Sequence, residues 1–268
     1  MQHLSASRLA LYSDCSLKYK FRYIDKISKP AISVHLAYGT AIHKAVEMLN
    51  LSLAKTKIDL EDMMQYFHDE YEKEVKAMRL ENDFFRWKLY EMGVNAIEKY
   101  YNEFVDYEVL GSEFKFDVPI IYPDGTKCET HSLYGFVDSI IKRKSDIMIV
   151  DYKTAKEQFP KFKIDTSIQL AVYSYAFRWL LQEKKLIKNF PNIKKDKEDF
   201  ISYYLFLKDY DTLNGKIKIQ RKKITDKEIN KMLYICKKTL EAEKAEIFIP
   251  NYDSMCKYCE YKKNCIEF

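Results

Sequence analysis

Over the first hundred residues apolar side chains return every three or four positions, and beyond Glu108 they alternate with polar ones. The first texture predicts helices and the second predicts strands, whose side chains point to opposite faces in turn. Leu9, Tyr12, Leu17, Phe21 and Ile24 form one stripe and predict a helix over residues 5–24. A second stripe, Ile42, Val46, Leu49 and Leu53, follows Thr40, which is placed to cap it. Residues 59–105 keep the helical period after an acidic first turn, with a break expected near 81–83. Three alternating segments follow, EFKFDVPII, SLYGFVDSII and IMIVDYKT, separated by the turn formers PDGT and KRKSD. They read as three consecutive strands joined by hairpins. A helix over 166–183, two strands in FISYYLFLK and KIKIQRKKI, and a helix over 225–246 complete the order. The expected organisation is one domain, residues 1–268, with a helical part (1–107), a sheet core (108–224) and a C-terminal helix with a cysteine-rich tail (225–268).

A chain of 268 residues can bury a full core, which excludes a minimal disulfide scaffold. Only six glycines and six prolines, beside 47% hydrophobic residues, exclude collagen-like and low-complexity chains. Apolar runs such as 147–150 are far shorter than the ~20 residues of a membrane span. The first residues lack the cationic head and apolar stretch of a leader, so a cytoplasmic protein with no membrane partner is expected. A net charge of +5 permits a phosphate-bearing partner without demanding one. No GxxxxGK[ST] loop occurs, so any motor activity would belong to another protein.

Asp138 falls on the polar side of one expected strand and Asp151 at the end of the next; Lys153, two residues on, points to the same side as Asp151. Neighbouring carboxylates repel, and a hard divalent cation, Mg²⁺ or Mn²⁺, lets both stay ionised. The Tyr152 carbonyl could add an oxygen, and a lysine there can orient water beside a phosphate and balance the charge that develops. Any one of these residues alone reads better as a solvated strand end; together they point to phosphodiester chemistry. His43 and Glu47 share a helix face: His43 is either a core histidine or a metal ligand, and Glu47 either fixes its tautomer or faces solvent. Glu113 is either an accessory acid or a strand-edge ion-pair residue.

Six cysteines in a cytoplasmic chain are not expected to be disulfides. Cys256, Cys259 and Cys265 cluster near one end and Cys15 lies near the other. Four thiolates suit either a structural zinc or an iron–sulfur cluster, and either would staple the two ends. Cys128 and Cys236 are expected to be ordinary half-buried thiols.

Nearly the whole chain resembles the RecB-like nucleases of the PD-(D/E)xK superfamily, in particular the CRISPR-associated exonuclease and the AddB nuclease domain. The likeness runs through SASRLALYSDCSLKYKFRYI, GTAIHKAVE, SEF, GFVDSI, IVDYKTAK, Gln169-x-x-x-Tyr173 and the cysteine triplet. Gly-Phe-Val-Asp138 replaces the Pro-Asp of the superfamily's name and removes no ligand. The resemblance implies an α/β restriction-endonuclease-like core, a mixed central sheet flanked by helices, with a helical N-terminal arch and a cysteine-rich C-terminal segment. It implies that His43, Asp138, Asp151 and the Tyr152 carbonyl bind the catalytic metal and that Lys153 is the catalytic lysine. Gln169 and Tyr173 would position nucleic acid or the attacked phosphate, and Cys15, Cys256, Cys259 and Cys265 would hold a 4Fe–4S cluster in preference to zinc. The implied activity is exonucleolytic, on single-stranded DNA or DNA ends. A DNA-processing or scaffold subunit working with a helicase or integrase, and an endonuclease of the same fold, are the rival readings. Tyr19, Tyr23 and Arg22 are expected to touch the strand, since bases stack on rings set beside cationic side chains.

Overall fold

The computed structural model describes residues 2–28, 34–53, 58–77, 83–104, 107–143, 146–154, 159–183, 200–206 and 218–265. The lysine-rich stretch at 184–197 lies outside them. Helices α1 (Ala6–Asp14), α2 (Ser16–Tyr19), α3 (Val34–Leu53), α4 (Leu60–Ala77) and α5 (Asp83–Phe104) precede most of the sheet. Later come α6 (Lys161–Asp165), α7 (Ile168–Gln182) and α8 (Asp226–Ala245). The strands are β1 (Gln2–Leu4), β2 (Glu108–Ile121), β3 (Lys127–Arg143), β4 (Asp146–Lys153), β5 (Phe200–Phe206) and β6 (Lys218–Lys223). The result is a mixed six-stranded sheet flanked by helices.

Three local expectations change. The stripe over 5–24 is broken at Cys15, whose extended backbone (φ −161°, ψ 110°) separates α1 from α2. A π-helical turn, Lys20–Ile24, then continues α2. α3 begins at Val34, so Thr40 lies inside it, its hydroxyl donating to the Leu36 carbonyl at 2.9 Å. β1 was not expected, because three residues are too few to show alternation.

The long strand β3 organises the sheet. β2 runs antiparallel along one side of it, while β1, parallel at Gln2–Leu4, and β4, antiparallel from Ser139 onward, divide the other. β5 joins β4 in parallel and β6 closes the far edge. One face carries α7 and α8 over Phe116, Leu133, Val137 and Ile149. The other carries α3, α4 and α5 over Val150 and Tyr152. Each large side chain so buried contributes roughly 1.5–3 kcal/mol. A polar knot joins this second layer to the sheet. The Tyr100 hydroxyl donates to Asn50 Oδ1 at 2.7 Å and lies 2.7 Å from the Tyr152 hydroxyl. Asn50 Nδ2 reaches the same Tyr152 hydroxyl at 3.2 Å.

α4 and α5 approach closely at Gly93, where an added Cβ would lie 2.1 Å from the Phe67 ring. Phe67 is fully buried and cannot swing aside. Gly93→Ala is therefore expected to destabilise the fold by about 1–3 kcal/mol, the usual scale of overpacking, measured by denaturant unfolding. An unchanged midpoint would show that the helices separate freely.

Candidate active site

β3 and β4 part company at one point. Their pairing ends at Ser139 opposite Val150, and the next Tyr152 N–H turns to the Asp138 carboxylate, donating to Oδ2 at 2.8 Å. β4 continues against β5 as far as Lys153. Asp151, Tyr152 and Lys153 thus stand at the mouth of a cleft while their backbone stays anchored. α3 crosses this mouth with residues four apart in register. Gly39 passes so close to β4 that a Cβ there would lie 3.1 Å from Thr154 Oγ1. One turn on, His43 Nδ1 lies 3.6 Å from Asp138 Oδ2, its ring edge-on to Tyr152. Another turn on, Glu47 brings its charge to bear on Glu113. The spacing of GTAIHKAVE builds one helical stripe toward the sheet.

Glu113 faces Asp138 across the β2–β3 ladder, between the pairs Ser112–Ser139 and Phe114–Val137. Its φ of 45° puts a non-glycine residue in the left-handed region, strain that clusters at functional sites. Among the described residues, His43, Glu113 and Asp138 form the one set of three metal-ligand types whose donor atoms all lie within 4.8 Å of one another. Glu113, expected at most as an accessory, thus belongs to the central group. Asp151, expected in the metal set, lies outside this trio and is paired with Lys153.

Asp151 is fully buried, and Lys153 Nζ donates to its Oδ1 at 3.0 Å and lies 2.8 Å from its Oδ2. Gln169, on the first turn of α7, accepts from Lys153 at 3.1 Å and donates to Asp151 Oδ1 at 2.8 Å. It also donates to the Tyr173 hydroxyl at 2.9 Å. Tyr173 is 4% exposed, and its hydroxyl holds Gln169 from within the core. Ser167 caps α7, its hydroxyl accepting from the Leu170 N–H, which fixes where that turn begins.

Burial raises the carboxyl groups of Asp138 and Asp151 well above the usual range. For Asp138 the Tyr152 N–H and then Lys153 oppose the rise. For Asp151 the charge of Lys153 opposes it while Asp138 adds to it. Glu113 is pushed up to about 7, by burial first and then by Asp138 and Glu47. His43 is lowered by burial, against the pull of Asp151, which keeps a neutral nitrogen available for coordination. Despite its closeness to Lys153, the buried Asp151 Oδ2 receives no properly directed hydrogen bond. An under-satisfied buried oxygen beside three crowded ligand types fits a divalent cation.

Cys15, Cys256, Cys259 and Cys265 line one cavity of about 280 Å³. The break at Cys15 points that residue at the tail, and both Leu17 N–H to Ile249 O and Asn251 Nδ2 to Asp14 O tie the segments together. No disulfide forms among the described cysteines. Cys128 and Cys236 are buried away from this cavity, more deeply than expected. Tyr19 departs from expectation: it is fully buried with its hydroxyl donating to Glu243, so packing claims the ring. Tyr23 is half-buried and Arg22 exposed.

The carboxylate, lysine and glutamine arrangement at a strand fork defines a nuclease-like hydrolytic centre. The profile of the PD-(D/E)XK nuclease superfamily matches residues 3–266, and the chain belongs to that superfamily. The Gene 69 protein of Mycobacterium phage L5 is 24% identical over 208 residues, 64% of this chain and 69% of that protein. The Gene 69 protein of Mycobacterium phage D29 is 24% identical over 197 residues, 64% and 67% of the two chains. A solved structure described as the crystal structure of SSO0001 covers 85% of this chain and 95% of its own at 14% identity, with a TM-score of 0.37.

Proposed function

We propose that the protein is a Mg²⁺- or Mn²⁺-dependent deoxyribonuclease of RecB-like type that acts on single-stranded DNA or DNA ends. The observation that carries this reading is the Lys153 ammonium, held by Asp151 and Gln169 one strand away from the His43, Glu113 and Asp138 group. His43, Glu113 and Asp138, with Asp151 and the Tyr152 carbonyl beside them, would hold the cation. When bound, it polarises the phosphodiester and lowers the pKa of a coordinated water. Lys153 presents fixed N–H donors toward a phosphate oxygen as negative charge grows there. Gln169 locks that ammonium in place, and Tyr173 locks Gln169. The test is hydrolysis of end-labelled single strands and closed circular duplex with Mn²⁺. Digestion of the first alone supports exonuclease action, and cleavage of the circle supports the endonuclease reading.

The same cation should stabilise the fold. Glu113 carries a folded pKa above its unfolded value, so in metal-free protein it costs stability as pH rises from about 4.5 toward about 7. A cation that replaces its proton removes that cost, and binding strengthens as protons leave. Adding Mn²⁺ should therefore raise the melting temperature more at pH 8 than at pH 5, and less in Glu113→Gln at either pH. Equal shifts in wild type and variant would remove Glu113 from the ligand set.

We further propose that the four cysteines hold a 4Fe–4S cluster. A single tetrahedral zinc, with Zn–S near 2.3 Å, would draw the sulfurs to about 3.8 Å apart. Among the described residues, no three of these thiols come within 4.8 Å of one another. The one cavity lined by all four thiols supports a shared centre, and their separation favours a multinuclear one. A protein partner such as a helicase or integrase would act alongside this activity.

A further inference from the structure

A strand cleaved at Asp138 must lie along the surface beside it, and β3 offers a continuous row of side chains there. Leu133 and Val137 point into the core beneath α7 and α8, so Tyr134, Phe136 and Asp138, at alternate positions, share the opposite face. The stretch 134–138 lies between the end of the β1 pairing at Leu133 and the start of the β4 pairing at Ser139. Phe136 is 42% exposed, a large apolar ring on an open strand, and stands edge-on to Tyr134 with centroids 5.7 Å apart. The His3 ring of β1 lies 4.9 Å beyond Tyr134. Arg8 donates to the His3 carbonyl at 2.8 Å and sets its guanidinium 4.7 Å from the Tyr23 ring centroid. Arg22, exposed on the π-helical turn, lies 5.3 Å from the same ring.

Charge follows the rings. Lys115, exposed and directly across from Phe136 in β2, places its ammonium 5.3 Å from the Tyr134 ring. Arg8, Arg22 and Lys115 outnumber the acid on this stretch of β2, Asp117 opposite Tyr134. Alternate strand positions repeat every ~6.8 Å. That is about twice the 3.4 Å per-strand rise of duplex DNA, so the rings suit an extended strand with separated bases. A duplex keeps its base faces covered and gains nothing from exposed rings, whereas a single strand offers every base for stacking.

We propose that this row is the binding track of a single-stranded polynucleotide, running from Asp138 to the π-helical turn. Bases stack on Phe136, Tyr134 and His3, and Arg8, Arg22 and Lys115 neutralise the phosphates. The track rests on the nuclease reading and gives its single-stranded substrate a defined path to Asp138. It also accounts for β1, whose three residues of strand hold His3 in line with Tyr134.

The test is fluorescence anisotropy of labelled oligothymidylate on the full chain, with divalent cations omitted so that binding is read apart from cleavage. Phe136→Ala should weaken binding about 5- to 100-fold with its salt dependence unchanged, and Phe136→Trp should restore it. Arg22→Ala, at an exposed site where folding is not at stake, should lower the slope of log K against log salt by about 0.7. Wild-type affinity and slope in both Phe136→Ala and Arg22→Ala would overturn the track, as would equal or tighter binding of blunt duplex. Failure of the wild type to hydrolyse any oligonucleotide with Mn²⁺ would instead overturn the nuclease reading. The two failures are thus told apart.

Discussion

Lys153→Ala is expected to lose at least about 10²- to 10³-fold in the rate of DNA cleavage, the usual effect of deleting one preorganised donor from a hydrolytic centre. The side chain makes contact with both Asp151 oxygens and with Gln169, so its removal does more than delete a charge. It leaves the fully buried Asp151 carboxylate without its cation, and that carboxyl group then keeps its proton more firmly. Lys153→Arg is not expected to rescue the rate. A planar guanidinium on a longer stem cannot reproduce three contacts arranged around a compact ammonium. Steady-state hydrolysis with Mn²⁺ gives the rate, and circular dichroism shows whether the variant is folded. Near-normal cleavage by a folded Lys153→Ala protein would remove the lysine from the chemistry.

Cys256→Ser is expected to abolish the broad visible absorption of an iron–sulfur protein and to lower the melting temperature. A link between Cys15 and Cys256 closes nearly the whole chain, and the loop-entropy scale gives such a link at most about 5.5 kcal/mol. The measured loss should fall below that ceiling, because hydrogen bonds already join the same segments. Ser16 Oγ donates to the Ile249 carbonyl at 2.9 Å and accepts from the Ile249 N–H at 2.7 Å. A salt bridge of 2.8 Å between Lys18 and Glu260 adds to them. Aerobic protein that is colourless, with zinc and no iron by elemental analysis, would replace the cluster with the zinc alternative. Unchanged stability on removing any of the four cysteines would dismiss both.

The pairing of Lys153 with Asp151 and of Gln169 with Tyr173 was legible in the sequence because each relation is local. Lys153 follows Asp151 by one strand repeat, and Tyr173 follows Gln169 by one helical turn. The helix order, the meander and the limits of α7 and α8 follow from periodicity and caps in the same way. Glu113 was not legible as a central residue. Its place depends on a left-handed backbone and on cross-strand register, neither of which leaves a period in the chain. The interruption at Cys15 is hidden for a related reason: the apolar stripe continues through it, and only contacts with the distant tail explain the break. Tyr19 misled because its neighbours are cationic, whereas its burial depends on α8, more than two hundred residues away.

The joining of Cys15 to the tail also sets an order of manufacture. A ribosome releases the amino end first, so the segment bearing Arg22 and Tyr23 must wait until residues 249–265 have emerged before its docking partners exist. The sheet can pair long before that. Docking of this segment therefore follows the emergence of residues 249–265, later than that of the strands bearing Asp138 and Asp151.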